Sequence, residues 1–292
     1  MNQRQAHGLA LVAILLWSTL ASFAALRPAG DPLLTTGIGL CIGGALSLPR
    51  WRSWLVPWRT WAVGCAGLFG YHALYFTAFT RAPALEVNVL NYLWPVLMIA
   101  FAPFILGSRL GRRQLLGTLL GLTGTIVLLT GGRLHASAGH LLGDGLAIAA
   151  AVVWALYSLL SRRLPSFPSA SVGGFCLVAG CAALVIVSMR HGLTPGLASL
   201  RPQDWWFLVA MGIGPLGVSF YCWDAAMKHG DATVIAALAY LTPLLSTLGL
   251  ILCAGQHLHA ATAVGLATIF AGAVIGSWTT VTADGPTRLP ES

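Results

Sequence analysis

Charge is what this chain has least of. Asp, Glu, Lys and Arg together make up 8% of its 292 residues, and only 8 residues are acidic. A water-soluble domain of this size carries about a quarter charged residues to cover its surface. With 57% hydrophobic residues and a mean hydropathy of +0.80, the chain lacks that cover, and the solvent that suits it is lipid. Long polar stretches are missing as well, so no separate soluble domain is expected. The six cysteines (Cys41, Cys65, Cys176, Cys181, Cys222 and Cys253) all fall in apolar runs without CxxC or Cys/His spacing. They read as small buried hydrophobes rather than disulfides or metal ligands. HExxH, GxSxG and paired intramembrane acids are absent, which speaks against an embedded hydrolase or transferase. No metal or cofactor is expected.

The net charge of +8 comes from 16 basic residues. They sit singly or in small groups between apolar runs and build no face for phosphates, so nucleic acid is excluded as a partner. They read instead as topology signals.

Ten apolar runs are present, at 8–26, 33–48, 61–80, 85–106, 115–131, 141–160, 170–189, 205–227, 232–254 and 261–279. Most approach the roughly 20 residues that cross a bilayer as a helix. Backbone polar groups in lipid must be satisfied within the segment, so each run is assigned helix. The expected class is an all-α polytopic membrane protein with ten transmembrane helices. Arg4 followed by Leu9–Leu16 fits a secretory leader only loosely, and Ser22-Phe23-Ala24 is a poor cleavage site, so this helix is expected to stay.

With the N-terminus in the cytoplasm, the inner segments hold Arg4, Arg50, Arg52, Arg59, Arg109, Arg112, Arg113, Arg162, Arg163, Lys228 and Arg288. The outer segments hold only Arg27, Arg81, Arg133, Arg190 and Arg201. The bias places both termini in the cytoplasm of a bacterial-type cell, with the chain in the inner membrane. Trp51, Trp54, Trp58, Trp61, Trp205 and Trp206 flank spans as an interfacial belt does.

An internal repeat is visible. Asn91-Tyr92-Leu93-Trp94-Pro95-Val96-Leu97 matches Ala239-Tyr240-Leu241-Thr242-Pro243-Leu244-Leu245, and the same offset pairs Ala78 with Ala226, Gly117 with Gly265 and Gly124 with Gly272. Gly8-Leu9-Ala10 through Trp17 matches Gly145-Leu146-Ala147 through Trp154. Residues 1–136 and 137–283 therefore read as related five-helix halves, followed by a short cytoplasmic tail at 284–292. Five spans per half is an odd number, so the halves are inverted. That arrangement places a substrate site between them near the midplane.

Several spans carry polar groups that lipid alone does not explain. His72, Tyr75 and Phe79 share a helical stripe with Tyr71 beside it. Asn88, Asn91, Tyr92 and Pro95 form one face of the next span. Pro95 and its counterpart Pro243, beside Tyr240, break helical bonding and mark hinge positions. Trp17 and Trp154 lie mid-span, with Tyr157 and Ser158 near the latter, and Pro215, Ser219 and Trp223 repeat every four residues. Each group fits a cavity wall or ordinary helix packing. Asp224 is expected to pair with Lys228 one turn on, and Glu86 suits a helix start. Gly117, Gly121 and Gly124 suit close helix approach, within the chain or between copies. A monomer is expected, with an oligomer left open.

These features resemble the drug/metabolite transporter superfamily in its ten-helix EamA-type form, over residues 7–280. Gly70-Tyr71-His72-Ala73-Leu74-Tyr75-Phe76 together with Asn91-Tyr92-Leu93-Trp94-Pro95 is similar to the aromatic amino acid exporters of that superfamily, the YddG branch. The resemblance implies a central cavity lined by Trp17, Tyr71, His72, Tyr75, Trp94 and Trp154, with Pro215 across it. It also implies export of aromatic amino acids. Read directly, aromatic faces without fixed charge suit a planar, net-neutral small molecule. Asn88, Asn91 and freed carbonyls would serve a zwitterion. No Lys or Arg lies mid-span, as a phosphorylated-sugar site requires. Another amino acid, a purine or a quaternary amine fits the same architecture. A passive channel or receptor stands as the alternative of another class.

Overall fold

The computed structural model describes residues 1–26, 31–108, 111–131, 140–254 and 260–277. Arg27, Arg109, Arg133, Arg288 and the 284–292 tail lie outside the described residues. The described chain is helical throughout: α1 (Gln3–Leu26), α2 (Pro32–Ala45), a 3-10 stretch (Leu48–Trp54), α3 (Trp58–Phe79), α4 (Ala84–Asn91), α5 (Trp94–Leu106), α6 (Arg112–Thr130) and α7 (Leu141–Arg163). There follow α8 (Ser171–His191), α9 (Leu193–Ala198), α10 (Pro202–Ile213), a wide turn (Gly214–Val218), α11 (Ser219–His229), α12 (Ala232–Ala239), α13 (Leu241–Ala254) and α14 (Ala260–Ser277).

Among the described residues, eight helical spans are long and apolar enough to cross a bilayer, or nine if α2 is counted with the 3-10 stretch bent from it. A count of ten adds α1, which is 24 residues long. Large apolar side chains such as Leu15, Phe104, Met189, Phe270 and Leu252 point outward. In water such a surface would aggregate, and in lipid it is the natural exterior.

The scarce acids stand at helix starts. Asp31 caps α2 through a 2.8 Å bond from the Leu33 N–H, and Asp231 caps α12 through a 2.8 Å bond from the Thr233 N–H. Glu86, Asp144 and Asp204 occupy the first turns of α4, α7 and α10. The unpaired N–H groups and the helix dipole favour negative charge there. Asp224 alone among the described acids is elsewhere, and the expected pair forms: Lys228 Nζ donates to Asp224 Oδ2 at 2.6 Å.

Three of the ten runs prove discontinuous. Run 85–106 breaks between α4 and α5 at Tyr92–Leu93, and run 232–254 breaks at Tyr240. Pro95 and Pro243 sit just past these breaks and have no N–H to return to the preceding turn. Run 205–227 widens at Gly214–Val218, where Pro215 stands at the turn's second position. The Ser219 N–H then reaches back to Gly214 O, five residues earlier. The second run stops at Ala45, and the chain turns by 85° into the 3-10 stretch, so this segment leaves the span direction.

The packing pairs exchange when each element is replaced by its counterpart in the other half. α2 packs on α8 and α6 on α14, each a pair of counterparts; α3 packs on α7 as α11 packs on α1, and α5 packs on α7 as α13 packs on α1. In the α6–α14 seam a methyl at Gly117 would stand 2.5 Å from Gly272 O, and one at Gly124 would stand 2.8 Å from Gly265 O. Rising numbers on α6 meet falling numbers on α14, so the two helices run antiparallel. The glycine face of α6 is therefore spent inside the chain, not on a second copy.

Candidate functional site

A cavity of about 740 Å³ lies between the halves, within the roughly 300–1,000 Å³ range of small-molecule sites. Four elements of the first half reach it. α1 contributes Trp17 and Leu20, α2 contributes Thr35 and Thr36, α3 contributes Tyr71 to Phe79, and the α4–α5 break contributes Asn88 to Trp94. From the second half come Trp154 of α7, Met211, Pro215, Leu216 and Phe220 around the wide turn, and Thr242 and Ser246 of α13. Among the described residues, no Asp, Glu, Lys or Arg lies in this wall.

The floor is a cluster of rings. Trp17 meets Trp154 edge-on at 5.8 Å and Phe220 at 6.0 Å, and Trp94 meets Trp154 at 6.4 Å. Beneath them Trp223 lies 5.1 Å from Trp17 and 5.5 Å from Trp94. Each such contact contributes about 0.5–1.5 kcal/mol beyond area burial. The Trp223 indole N–H donates to Ser158 Oγ at 3.0 Å, which satisfies both of these buried groups.

The polar wall is held from α3 and α4. Tyr75 O–H donates to Asn88 Oδ1 at 2.6 Å, and Asn91 Nδ2 donates to Tyr71 Oη at 3.2 Å. Tyr71 and Tyr75 stack at 5.5 Å and 12°. His72 Nδ1 lies 2.7 Å from Leu68 O. A carbonyl only accepts, so Nδ1 carries the proton of the neutral ring and Nε2 is left as an acceptor. Asn91 Oδ1 and Thr242 Oγ1 are buried without a protein partner. A ligand or water there would gain bonds the fold leaves unmade. Tyr75→Phe is expected to lower stability by about 0.5–1.5 kcal/mol, the worth of one such bond. Thermal unfolding in detergent reads this, with a smaller loss for Tyr71→Phe because its bond is longer.

The structure brings together Trp17, Tyr71, His72, Tyr75, Asn88, Asn91, Tyr92, Trp94, Trp154 and Pro215 of the residues expected from sequence. It removes four from the wall. Tyr157 packs at 5.5 Å behind Trp154 and against Gly67. Ser219 turns its hydroxyl back to Pro215 O at 2.6 Å, and Trp223 is 1% exposed beneath the floor. Tyr240 is fully buried, and its O–H donates to the Tyr92 carbonyl at 2.8 Å. That last bond joins the two helix breaks directly. Pro95 and Pro243 shape these breaks but do not line the cavity.

Sequence reasoning missed Thr35, Thr36, Met211, Leu216, Phe220, Thr242 and Ser246. The repeat itself carried a signal for three of them. At the offset that relates Tyr92 to Tyr240, His72 corresponds to Phe220, Trp94 to Thr242 and Met98 to Ser246. His72 and Phe220 face each other at 6.1 Å. Met98 is buried off the wall while its counterpart Ser246 lines it, and Thr242 offers a hydroxyl where Trp94 offers a ring.

At one rim Glu86 Oε2 lies 3.1 Å from His140 Nδ1, tying the start of α4 to the start of α7. Partly exposed pairs of this kind contribute little to stability.

The EamA-like transporter family model matches residues 5–130 and again 141–278. The aromatic amino acid exporter YddG of Ancylobacter novellus is 37% identical over 287 residues, covering 95% of this chain and 98% of that one. The protein of the same name from Salmonella typhimurium is 28% identical over 85% of this chain and 88% of its own. A crystal structure aligns with a TM-score of 0.87 at 36% identity, covering 94% of this chain and 97% of the other.

Proposed function

This chain belongs to the EamA-like transporter family, and from that premise we propose that it exports aromatic and other neutral amino acids through the central cavity. The observation that carries the reading is the wall itself: stacked aromatic faces and amide or hydroxyl groups, with no fixed charge among the described residues. A planar side chain stacks on Trp17, Trp154 and Tyr71. A zwitterionic head finds acceptors at Asn91 Oδ1 and His72 Nε2, and a hydroxyl at Thr242. A net-charged solute would be desolvated there without a counter-charge, at a cost of several kcal/mol. The aromatic amino acid exporters among the relatives support the same substrate class.

Transport proceeds by alternating access of two inverted halves, 1–136 and 137–283, with both termini in the cytoplasm and ten spans when α1 is counted. The double family match, the exchange of packing pairs and the antiparallel α6–α14 seam support this division. Among the described residues no carboxylate lines the cavity, which supports facilitated transport over a carboxylate proton relay.

The test is counterflow of labelled tryptophan and phenylalanine in liposomes containing the purified protein. Saturable exchange that ignores an imposed pH gradient is expected, and it falls at least about tenfold in Trp17→Ala, a loss of one stacking partner and its packing. Non-saturable flux would show a channel. Competition by a purine or a quaternary amine but not by tryptophan would move the substrate class. A dependence on the pH gradient that His72→Ala abolishes would overturn the uncoupled reading.

A further inference from the structure

The segment between α2 and α3 takes no part in the cavity, yet it is built with care. It leaves α2 at 85° and is fastened on one side to the start of α8. The Trp54 indole N–H donates to Ser47 Oγ at 3.0 Å and lies 3.2 Å from Ala170 O. The Trp61 N–H donates to Trp54 O at 3.0 Å, and Ser171 Oγ donates to Ser53 O. Two of the four tryptophans are thus consumed as anchors. The other two face away from the protein: Trp51 is 53% exposed and Trp58 75%, with Leu55 between them at 77%. Arg50, Arg52 and Arg59 are exposed on the same stretch. The Arg52 and Arg59 guanidinium groups lie 5.9 Å from the rings of Trp51 and Trp58. No acidic residue occurs between Asp31 and Glu86, so the stretch offers these arginines no carboxylate of its own.

We propose that residues 46–61 form a docking surface for anionic phospholipid. A transmembrane bundle needs no rigid shelf at right angles to its spans merely to connect two of them, and a few polar residues would do. Indole rings beside guanidinium groups match the boundary between acyl chains and headgroups, where an amphipathic ring sits at the depth of the glycerol and a planar fork meets phosphate. The three arginines supply the charge complement of a lipid phosphate, while Trp51, Leu55 and Trp58 supply apolar contact with the chains. The hydrogen bonds to Ala170 and from Ser171 hold the shelf in place before lipid arrives, so little ordering is spent on binding. Each basic group near an anionic surface strengthens binding about fivefold.

The test measures retained lipid and does not involve transport. The purified full chain is equilibrated with phosphatidylglycerol or phosphatidylcholine, and bound lipid is counted by native mass spectrometry. The wild type is expected to hold phosphatidylglycerol at least about tenfold, and up to about a hundredfold, more tightly than phosphatidylcholine, with the preference falling as salt rises. Arg50→Gln/Arg52→Gln/Arg59→Gln should abolish the preference, whereas Arg112→Gln/Arg113→Gln at the start of α6 should keep it. All these side chains are exposed, so both variants should melt like the wild type. Equal retention of the two lipids by the wild type overturns the proposal. So does an unchanged preference in the triple variant, or binding of an acidic soluble peptide that phosphatidylglycerol does not displace.

Discussion

Trp154→Ala is expected to lose both stability and transport. The Trp154 side chain is 4% exposed and touches the rings of Trp17, Tyr71, Trp94, Tyr157, Phe220 and Trp223. Removing a buried Trp costs about 3–5 kcal/mol through lost contacts and the hollow left behind. Here the hollow would also breach the floor of the cavity. Thermal unfolding in detergent should show a marked drop, and counterflow of labelled tryptophan should vanish in the fraction that stays folded. Trp154→Phe keeps a ring in place and should recover most of the stability but only part of the flux. If the alanine variant transported normally, the ring cluster would not be the substrate's platform.

Gly117→Val is expected to impair folding by a different route, by forcing two helices apart. A first side-chain carbon at this position would stand 2.5 Å from Gly272 O and 2.5 Å from the N of Gly276. Those are backbone atoms of a neighbouring helix, and they cannot swing aside as a side chain would. Overpacking of this kind costs about 1–3 kcal/mol and occasionally more, and the seam is equally close at Gly124 and Gly265. The expected readout is loss of the monodisperse peak in size-exclusion chromatography. Gly145→Ala is the control, since nothing lies within 4 Å of the added carbon. It should fold as well as the wild type or slightly better, because alanine favours helix over glycine. A valine variant that remained monodisperse would mean that α6 and α14 separate at little cost.

Much of the architecture was legible because lipid imposes a simple rule. Apolar runs of about 20 residues become helices, and the rule held at α3, α6 and α8 within a few residues. It failed where proline met a run of uninterrupted hydrophobicity. Periodicity shows a break only through the residue that causes it, so Pro95 and Pro243 announced their bends while the 85° turn after Ala45 gave only Pro49 as a sign. In the cavity, stripes of aromatic and amide groups on one helix were readable from spacing. Trp223, Tyr157, Ser219 and Tyr240 carried the same spacing and yet face packed neighbours. Which polar side of a span meets an opening depends on the rotation of its neighbours, and no single helix encodes that. Thr35, Thr36, Thr242 and Ser246 were passed over because small hydroxyl residues commonly bond their own helix, as Thr35 does to Pro32 O at 3.0 Å.

Among the described residues, glycines let backbones meet without side chains between α6 and α14, between α2 and α8, and between α2 and the wide turn at Gly214–Val218. Where two backbones touch without side chains between them, neither can slide by a fraction of a turn without colliding with the next residue. Such seams act as fixed axles. Under the alternating access proposed above, the movement would fall to the helices that meet through rings, α1, α3, α7 and α11. There, flat faces can shear past one another while staying in contact. On that proposal, glycine marks the frame of the bundle and tryptophan its moving parts.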